Sequence, residues 1–280
     1  MEVVRAKKAG ACYGVQRALD LAARVVEEGG SVYTLGPLIH NPQVVHDLEA
    51  KGARVVGDAG QLAGKSGTVV VRSHGVTPAV RRSLDSMDFS VVDATCPHVS
   101  RAQNAAAELA GRGCRVIVVG EAGHPEVESL VAYAREAGGA VDVVADASQI
   151  PADVSEPVGV VSQTTQMRES LASVVRALED RGLSPEVKNT ICSATRSRQD
   201  YAADLSREVD AMVVIGGRNS SNTTRLYEIC AASCPKSYHV ESAEELDPSW
   251  FSGCGVVGVT AGASTPESQI AEVCARLEGF

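Results

Sequence analysis

A chain of 280 residues with a formal net charge of −9 and 4% aromatic residues can bury a large core and is too acidic for a general nucleic-acid binder. No apolar run approaches the ~20 residues of a membrane span, and Lys7 and Lys8 stand where a signal peptide needs its apolar stretch, so the protein reads as cytoplasmic. In that reducing compartment its eight cysteines read as buried thiols or metal ligands and not as disulfides.

The predicted elements form a repeat. The opening EVVRAKKAGAC supplies a strand that leads to Cys12. An amphipathic helix follows, with Val15, Ala18, Leu19, Ala22, Val25 and Val26 on one face. Next come the strand SVYTLG at 31–36, a helix from His40-Asn41-Pro42, the short strand ARVVG at 53–57 and the tail DAGQL. The strand TVVVRSHG at 68–75 ends on a polar motif, and FSVVDATC at 89–96 runs into Cys96. The plan recurs with a helix after Cys96, CRVIVVG at 114–120, a helix from His124-Pro125-Glu126, AVDVV, DASQI, VGVVSQTT at 158–165 and EVKNTIC at 186–192. It starts a third time after Cys192, through DAMVVIGG, a helix from Asn219-Ser220-Ser221, SYHVE, ESAEEL and GVVGVTAGAS at 255–264. The third copy lacks its last strand, which the N-terminal strand can supply.

Strands alternating with helices predict mainly parallel sheets covered on both faces. The fold class is α/β: three similar αβα lobes in a pseudo-threefold trefoil around one central site. The expected lobes are residues 14–95, 96–191, and 192–280 completed by 1–13. Ligands bind beyond the carboxyl ends of parallel strands, and the polar motifs all fall there. Cys12, Cys96 and Cys192 each precede a strand-ending glycine by 24 residues (Gly36, Gly120, Gly216), and His40, His124 and Ser220 follow four residues later.

A lone cysteine is most often a buried apolar thiol, which suits Cys114, Cys230, Cys234, Cys254 and Cys274. The three in register lie at strand-to-helix junctions, where backbone N–H groups and the helix dipole favour a thiolate. Structural zinc favours closely spaced ligands, and the chain has no C-x-x-C. Three distant thiolates suit a cubane iron–sulfur cluster with one iron lacking a protein ligand, an iron that can act as a Lewis acid. His40, His74, His124, Ser220, Ser221, Asn222 and Ser264 fall at strand ends or helix starts, places suited to a phosphate or diphosphate; plain helix capping is the competing reading. Glu126, just after Pro125, is either an ordinary first-turn acid or a proton donor. Thr164 and Thr165 can extend a hydroxyl path beside it. Gly60–Ser66 is one residue short of a phosphate-binding loop and leads into a strand, so nucleotide binding there is rejected.

Taken in order, these motifs resemble the 4-hydroxy-3-methylbut-2-enyl diphosphate reductase family: Gly10-Ala11-Cys12-Tyr13-Gly14-Val15, His40-Asn41, Ser73-His74-Gly75-Val76, Ala94-Thr95-Cys96-Pro97, Gly123-His124-Pro125-Glu126-Val127, Ser162-Gln163-Thr164-Thr165, Cys192 to Thr195, Asn219 to Thr223 and Thr260 to Ser264. The resemblance covers essentially the whole chain. It implies a [4Fe–4S] cluster on Cys12, Cys96 and Cys192. The allylic diphosphate would be held by His40, His74, His124, Thr164, Thr165, Ser220, Ser221, Asn222 and Ser264. Glu126, with Thr164, would be the proton source in a two-electron reductive dehydroxylation giving isopentenyl and dimethylallyl diphosphate, the last step of the non-mevalonate pathway. It further implies ferredoxin or flavodoxin as electron donor. Apart from the resemblance, the basic residues Lys7, Lys8, Arg17, Arg196 and Arg198 lie near two of the cysteine-bearing segments and read as a docking patch for an acidic donor. No nucleic-acid or membrane partner is expected, and a monomer suffices. The chain departs from the family in having Ala11 where Phe is usual. A non-catalytic iron–sulfur sensor and a zinc phosphoester hydrolase are the alternatives. The intact Glu126 and diphosphate set oppose the first, and the absence of close ligand pairs opposes the second.

Overall fold

A computed structural model describes residues 1–280. In chain order β1 (Glu2–Arg5) comes first, and the first repeat then comprises α1 (Tyr13–Glu27), β2 (Val32–Leu35), α2 (Pro42–Ala50), β3 (Ala53–Val56), β4 (Gly67–Val71), α3 (Pro78–Asp85) and β5 (Phe89–Asp93). The second comprises α4 (Pro97–Gly111), β6 (Arg115–Val119), α5 (Pro125–Glu136), β7 (Val141–Val144), β8 (Val158–Ser162), α6 (Arg168–Glu179) and β9 (Glu186–Val187). The third comprises α7 (Ser193–Ser206), β10 (Ala211–Ile215), α8 (Ser221–Ser233), β11 (Ser237–Val240), β12 (Val256–Ala261) and α9 (Glu267–Glu278).

These strands make three four-stranded parallel sheets of one order: β3-β2-β4-β5, β7-β6-β8-β9 and β11-β10-β12-β1. The N-terminal strand pairs with β12 through Val3↔Val257 and takes the place that β5 and β9 hold in their own sheets. The α/β class and the completion of the third sheet by residues from the N-terminus are therefore as expected. The chain divides into two compact units. One holds residues 1–15, 40–44 and 193–280, with the third sheet; the other holds residues 16–39 and 45–192, with the first two sheets.

The apolar runs become central strands because helices cover both faces of each sheet. In the second sheet, Val116 and Val118 face Ala106, Leu109, Leu130 and Ala134 of α4 and α5. Ile117 and Val119 face Leu171, Val174 and Leu178 of α6. The third sheet repeats this alternation. Val213 and Ile215 turn toward Ile270, Val273 and Leu277 of α9, while Met212 and Val214 turn toward Ala202 and Leu226 of α7 and α8. The three tails also match as local structure. Each is a short 3₁₀ turn whose side chain reaches back to the backbone N–H four residues earlier: Gln61 to Gly57, Gln149 to Ala145 and Glu245 to Glu241.

Two expectations change. The strand expected over 186–192 stops at Val187, and the Thr190 side chain takes over the bonding to β8. The strand expected over 89–96 ends at Asp93, two residues before Thr95 turns the chain toward α4. Helices α3, α6 and α9 stand in segments for which the repeat pattern predicts no element. Thr77-Pro78 was a usable signal for α3, since the Thr77 hydroxyl caps Val80 N–H at 3.3 Å.

Leu109 is fully buried and nests over Gly159, where an added Cβ would meet its Cδ1 at 2.8 Å. Leu109→Ala is expected to lower the unfolding free energy by about 2–5 kcal/mol, read by urea denaturation. A loss under about 0.5 kcal/mol, typical of a surface change, would contradict this packing.

Candidate functional site

Each of the three cysteines in register sits immediately before a helix, α1, α4 or α7, and each is half-buried. The backbone holds all three in the same way. Cys12 N–H donates to Ala263 C=O at 3.1 Å, Cys96 N–H to Ser73 C=O at 3.0 Å, and Cys192 N–H to Thr164 C=O at 3.0 Å. These rungs continue the β1–β12, β5–β4 and β9–β8 pairings past their regular ends. The residues following the three acceptors are Ser264, His74 and Thr165, so each thiol residue is tied beside one expected diphosphate ligand.

On the larger unit, residues far apart in sequence meet around Glu126. Its carboxylate is buried, at 2% exposure, in the first turn of α5. Thr164 holds both oxygens: its N–H donates to Oε1 at 2.6 Å and its hydroxyl to Oε2 at 2.9 Å. His124 caps α5, and its Nδ1 accepts the Glu126 N–H at 3.1 Å. That bond requires a lone pair on Nδ1, so the neutral ring carries its proton on Nε2. The His74 ring meets His124 edge-on, with centroids 5.6 Å apart. Behind them, Ser129 donates to Glu126 C=O at 2.7 Å and accepts from Gln103 at 3.1 Å. Gln103 in turn packs under Gly75, where a Cβ would lie 2.5 Å from its Nε2. Gly75 also has φ +73°, so the Ser73-His74-Gly75 turn needs glycine for space and for backbone.

On the smaller unit, Ser220, Ser221 and Asn222 form the start of α8, with Ser220 Oγ capping Thr223 N–H. Asn222 is 4% exposed, and neither atom of its side-chain amide has a hydrogen-bond partner. A buried, unsatisfied amide in the first turn of a 13-residue helix, where N–H groups converge, fits an anionic ligand. The Ser264 hydroxyl donates to His40 C=O at 2.9 Å, bringing two further expected ligands to one loop pair. Asn41 locks that pair: its amide donates to Ser264 C=O and Gln269 Oε1, both at 3.0 Å, and its Oδ1 caps Val44 N–H. On the larger unit, the Thr165 hydroxyl is likewise buried without a partner.

The expected basic patch needs correction. Arg198 is 4% exposed and spends its guanidinium on Gly10 C=O at 2.6 Å and Ala194 C=O at 3.3 Å, so it positions the Cys12 turn and offers no surface charge. Arg17 turns to the carbonyls of Thr95 and Asp93. Lys7, Lys8 and Arg196 are exposed, Lys7 lies over the Tyr201 ring, and Tyr13 is 72% exposed. Lys7, Lys8 and the exposed Ala11 line a groove of roughly 370 Å³ that reaches Cys12.

Asn41, Gln103, Ser129, Thr190 and Arg72 also hold this region together, beyond the residues that the motifs point to. An Asn-Pro helix start was a local sign for Asn41. Arg72 lies half-buried under the His74 turn, and burial lowers its guanidinium from its ordinary value while Glu128 opposes that shift. Gln103 and Thr190 act on partners 26 to 28 residues away in sequence, and Ser129 joins the nearby Glu126 carbonyl to the distant Gln103, so no local pattern marks the three.

None of the eight cysteines forms a disulfide, and no three His, Cys, Asp or Glu side chains stand close enough together to hold a metal ion. In its chemistry the donor set fits an iron–sulfur cluster: three half-buried sulfurs at equivalent junctions, each ahead of a helix N-terminus. Of the other five, Cys254 and Cys274 are half-buried as well but pack against the core of the third sheet. Cys114, Cys230 and Cys234 are buried in apolar packing.

A family model described as LytB protein matches residues 3–278. The chain belongs to the LytB family. Over 283 residues it is 49% identical to a 4-hydroxy-3-methylbut-2-enyl diphosphate reductase of Geobacter sulfurreducens, covering 100% of this chain and 98% of the relative. A protein of the same name from Geobacter metallireducens is 45% identical, with 99% and 97% covered. A solved structure of (E)-4-hydroxy-3-methyl-but-2-enyl diphosphate reductase, the terminal enzyme of the non-mevalonate pathway, matches with 41% identity and a TM-score of 0.72 over 100% of both chains. The E-1-hydroxy-2-methyl-but-2-enyl-4-diphosphate reductase structure from Plasmodium falciparum, 23% identical, shares the fold with a TM-score of 0.88, covering 96% of this chain and 86% of that one. The family resemblance carried by the motifs is thus borne out. No helix of this LytB-family chain is long and apolar enough to cross a membrane.

Burial pushes the Cys230 thiol up to about 12, and nearby Cys234 adds to the shift. Its unfolded value is 9.0, so the folded state holds this proton more tightly. The resulting stability is complete below pH 9.0 and is lost as pH rises toward about 12. In metal-free protein at about pH 8, iodoacetamide is expected to modify Cys12, Cys96 and Cys192 well before Cys230, since the thiolate is the nucleophile. Peptide mass spectrometry checks the order, and early modification of Cys230 would contradict it.

Proposed function

We propose that this protein reduces (E)-4-hydroxy-3-methylbut-2-enyl diphosphate to isopentenyl and dimethylallyl diphosphate. The observation that carries the reading is the buried Glu126 carboxylate, gripped by Thr164, whose own carbonyl receives the amide of Cys192. An acid, a hydroxyl and a cysteine are thereby held along one stretch of backbone. The family and the relatives' names support the same activity.

Cys12, Cys96 and Cys192 would hold a [4Fe–4S] cluster with one iron lacking a protein ligand. When bound, that group supplies electrons and a Lewis-acid position beside the substrate hydroxyl. The chain's residues supply binding and protons. Ser220, Ser221 and Asn222 would offer the diphosphate the start of α8, with His40 and Ser264 on the same unit; His74, His124 and Thr165 would complete the set. The reaction consumes two electrons and two protons: one proton leaves with the hydroxyl as water, and one ends on carbon at either end of the allyl fragment. Glu126 is the source, and the Thr164 hydroxyl, within 2.9 Å of Oε2, can pass a proton by donating one and accepting another. Burial of both residues keeps bulk water from competing as the acid.

Lys7, Lys8 and Arg196, with exposed Tyr13, form a docking patch for an acidic electron donor of the ferredoxin or flavodoxin kind, next to the Cys12 groove.

Glu126→Gln keeps the shape and both Thr164 contacts within reach but removes the transferable proton. Turnover of the allylic diphosphate with a chemical reductant should fall about 10²-fold or more, with iron content and substrate affinity retained. Near-normal turnover would remove Glu126 from the acid role. Charge reversal at Lys7 and Lys8 should weaken donor-protein-dependent turnover about tenfold at low salt while sparing turnover with the chemical reductant. Equal loss in both assays would count against docking there.

A further inference from the structure

The three repeats close the approach to their cysteines in two ways. Two residues before Cys12 and Cys96, the backbone donates to the end of the neighbouring strand: Gly10 N–H to Ala261 C=O at 3.3 Å and Ala94 N–H to Val71 C=O at 3.1 Å. The corresponding residue before Cys192 is Thr190, and here a side chain replaces the backbone bond. The Thr190 hydroxyl accepts from Ser162 N–H at 2.8 Å and donates to Ser162 C=O. Thr190 is 2% exposed and Ser162 is fully buried, so this hydroxyl satisfies backbone groups that water cannot reach.

The exception occurs in the repeat that carries Glu126. The next rung along is Cys192 N–H to Thr164 C=O, and Thr164 then grips both oxygens of Glu126. Thr190 and Cys192 thus fasten Ser162 and Thr164, two alternate residues of one extended strand end. A backbone rung fixes spacing along a ladder. A hydroxyl that binds the N–H and the C=O of one residue also fixes that residue's rotation. Rotation at Ser162 would carry through Gln163 to the Thr164 N–H and hydroxyl, the two groups that aim the carboxyl.

We infer that Thr190 is a positioning residue for proton delivery: its hydroxyl sets the orientation of Thr164, and hence the aim of Glu126, relative to the Cys192 segment. This rests on the reductase reading above. Thr190 touches no substrate and donates no proton to it, so it acts on the rate and direction of protonation and leaves ground-state binding alone.

The test compares Thr190→Val, which keeps the shape and loses the hydroxyl, with Thr190→Ser, which keeps the hydroxyl. Both are made in full-length protein reconstituted anaerobically to equal iron and sulfide content. Thr190→Val should lose about tenfold in kcat with KM within about threefold. Its ratio of isopentenyl to dimethylallyl product should shift, because the proton arrives from a changed direction. Amide hydrogen exchange in the 158–165 segment should quicken. Thr190→Ser should restore all three readouts to near wild type. The inference is overturned if Thr190→Val matches wild type in kcat and product ratio, if its loss merely tracks lost iron, or if Thr190→Ser fails equally. A wild-type protein that does not turn over the allylic diphosphate overturns the reductase reading instead. Exchange then decides the clamp alone: faster exchange in Thr190→Val upholds it and unchanged exchange ends it.

Discussion

One backbone hydrogen bond, made three times, organises this molecule: the amide of each cysteine in register donates to a carbonyl just beyond the end of a parallel strand. A parallel sheet leaves its carboxyl-end carbonyls pointing out of the fold, and these rungs use them to seat a cysteine at the head of a helix. The side chain that follows each acceptor, Ser264, His74 or Thr165, is placed beside that cysteine by chain connectivity alone. Setting a cysteine next to a hydrogen-bond donor therefore needs no long-range invention in any one repeat. It needs a strand, a turn and a helix, repeated.

The repeats share this frame but have diverged in what they hang on it. The second supplies the acid and its two-point grip from Thr164. The third supplies the helix start with the unsatisfied Asn222 amide. The first supplies His74, whose ring meets His124 of the second. Glycines mark the tight places: Gly75 has φ +73° and no room for a Cβ above Gln103. The cores are apolar and covered by helices, while the proposed site residues sit beyond the strand ends, so the two can vary separately.

Much of this could be read from the sequence because α/β units write themselves locally. Apolar runs of about five residues, glycine at the strand end and polar residues at the helix start recur at fixed spacing. That recurrence showed that Glu2–Arg5 belonged to the third sheet, since a strand was missing there and spare at the start. What escaped was of another kind. Arg198 looked like a surface charge because composition does not reveal burial, yet it is folded onto Gly10. The segment 186–192 looked like one strand because it contains Val187 and Ile191, but at Thr190 a side-chain hydroxyl takes the place of the ladder bond to β8. Gln103 and Thr190 hold the site through partners distant in sequence, and a polar residue with a distant partner looks like any other polar residue.

The central claim is that Cys12, Cys96 and Cys192, and no other cysteines, ligate one iron–sulfur cluster. The direct measurement is iron and labile sulfide per chain, with Mössbauer spectra, for anaerobically purified wild type and the single variants Cys12→Ser, Cys96→Ser and Cys192→Ser beside Cys254→Ser and Cys274→Ser. Expected are equal iron and sulfide in wild type, loss or conversion of the cluster in each of the first three variants, and wild-type content in the other two. Zinc without sulfide, or a cluster that survives unchanged in any of the first three, would contradict it.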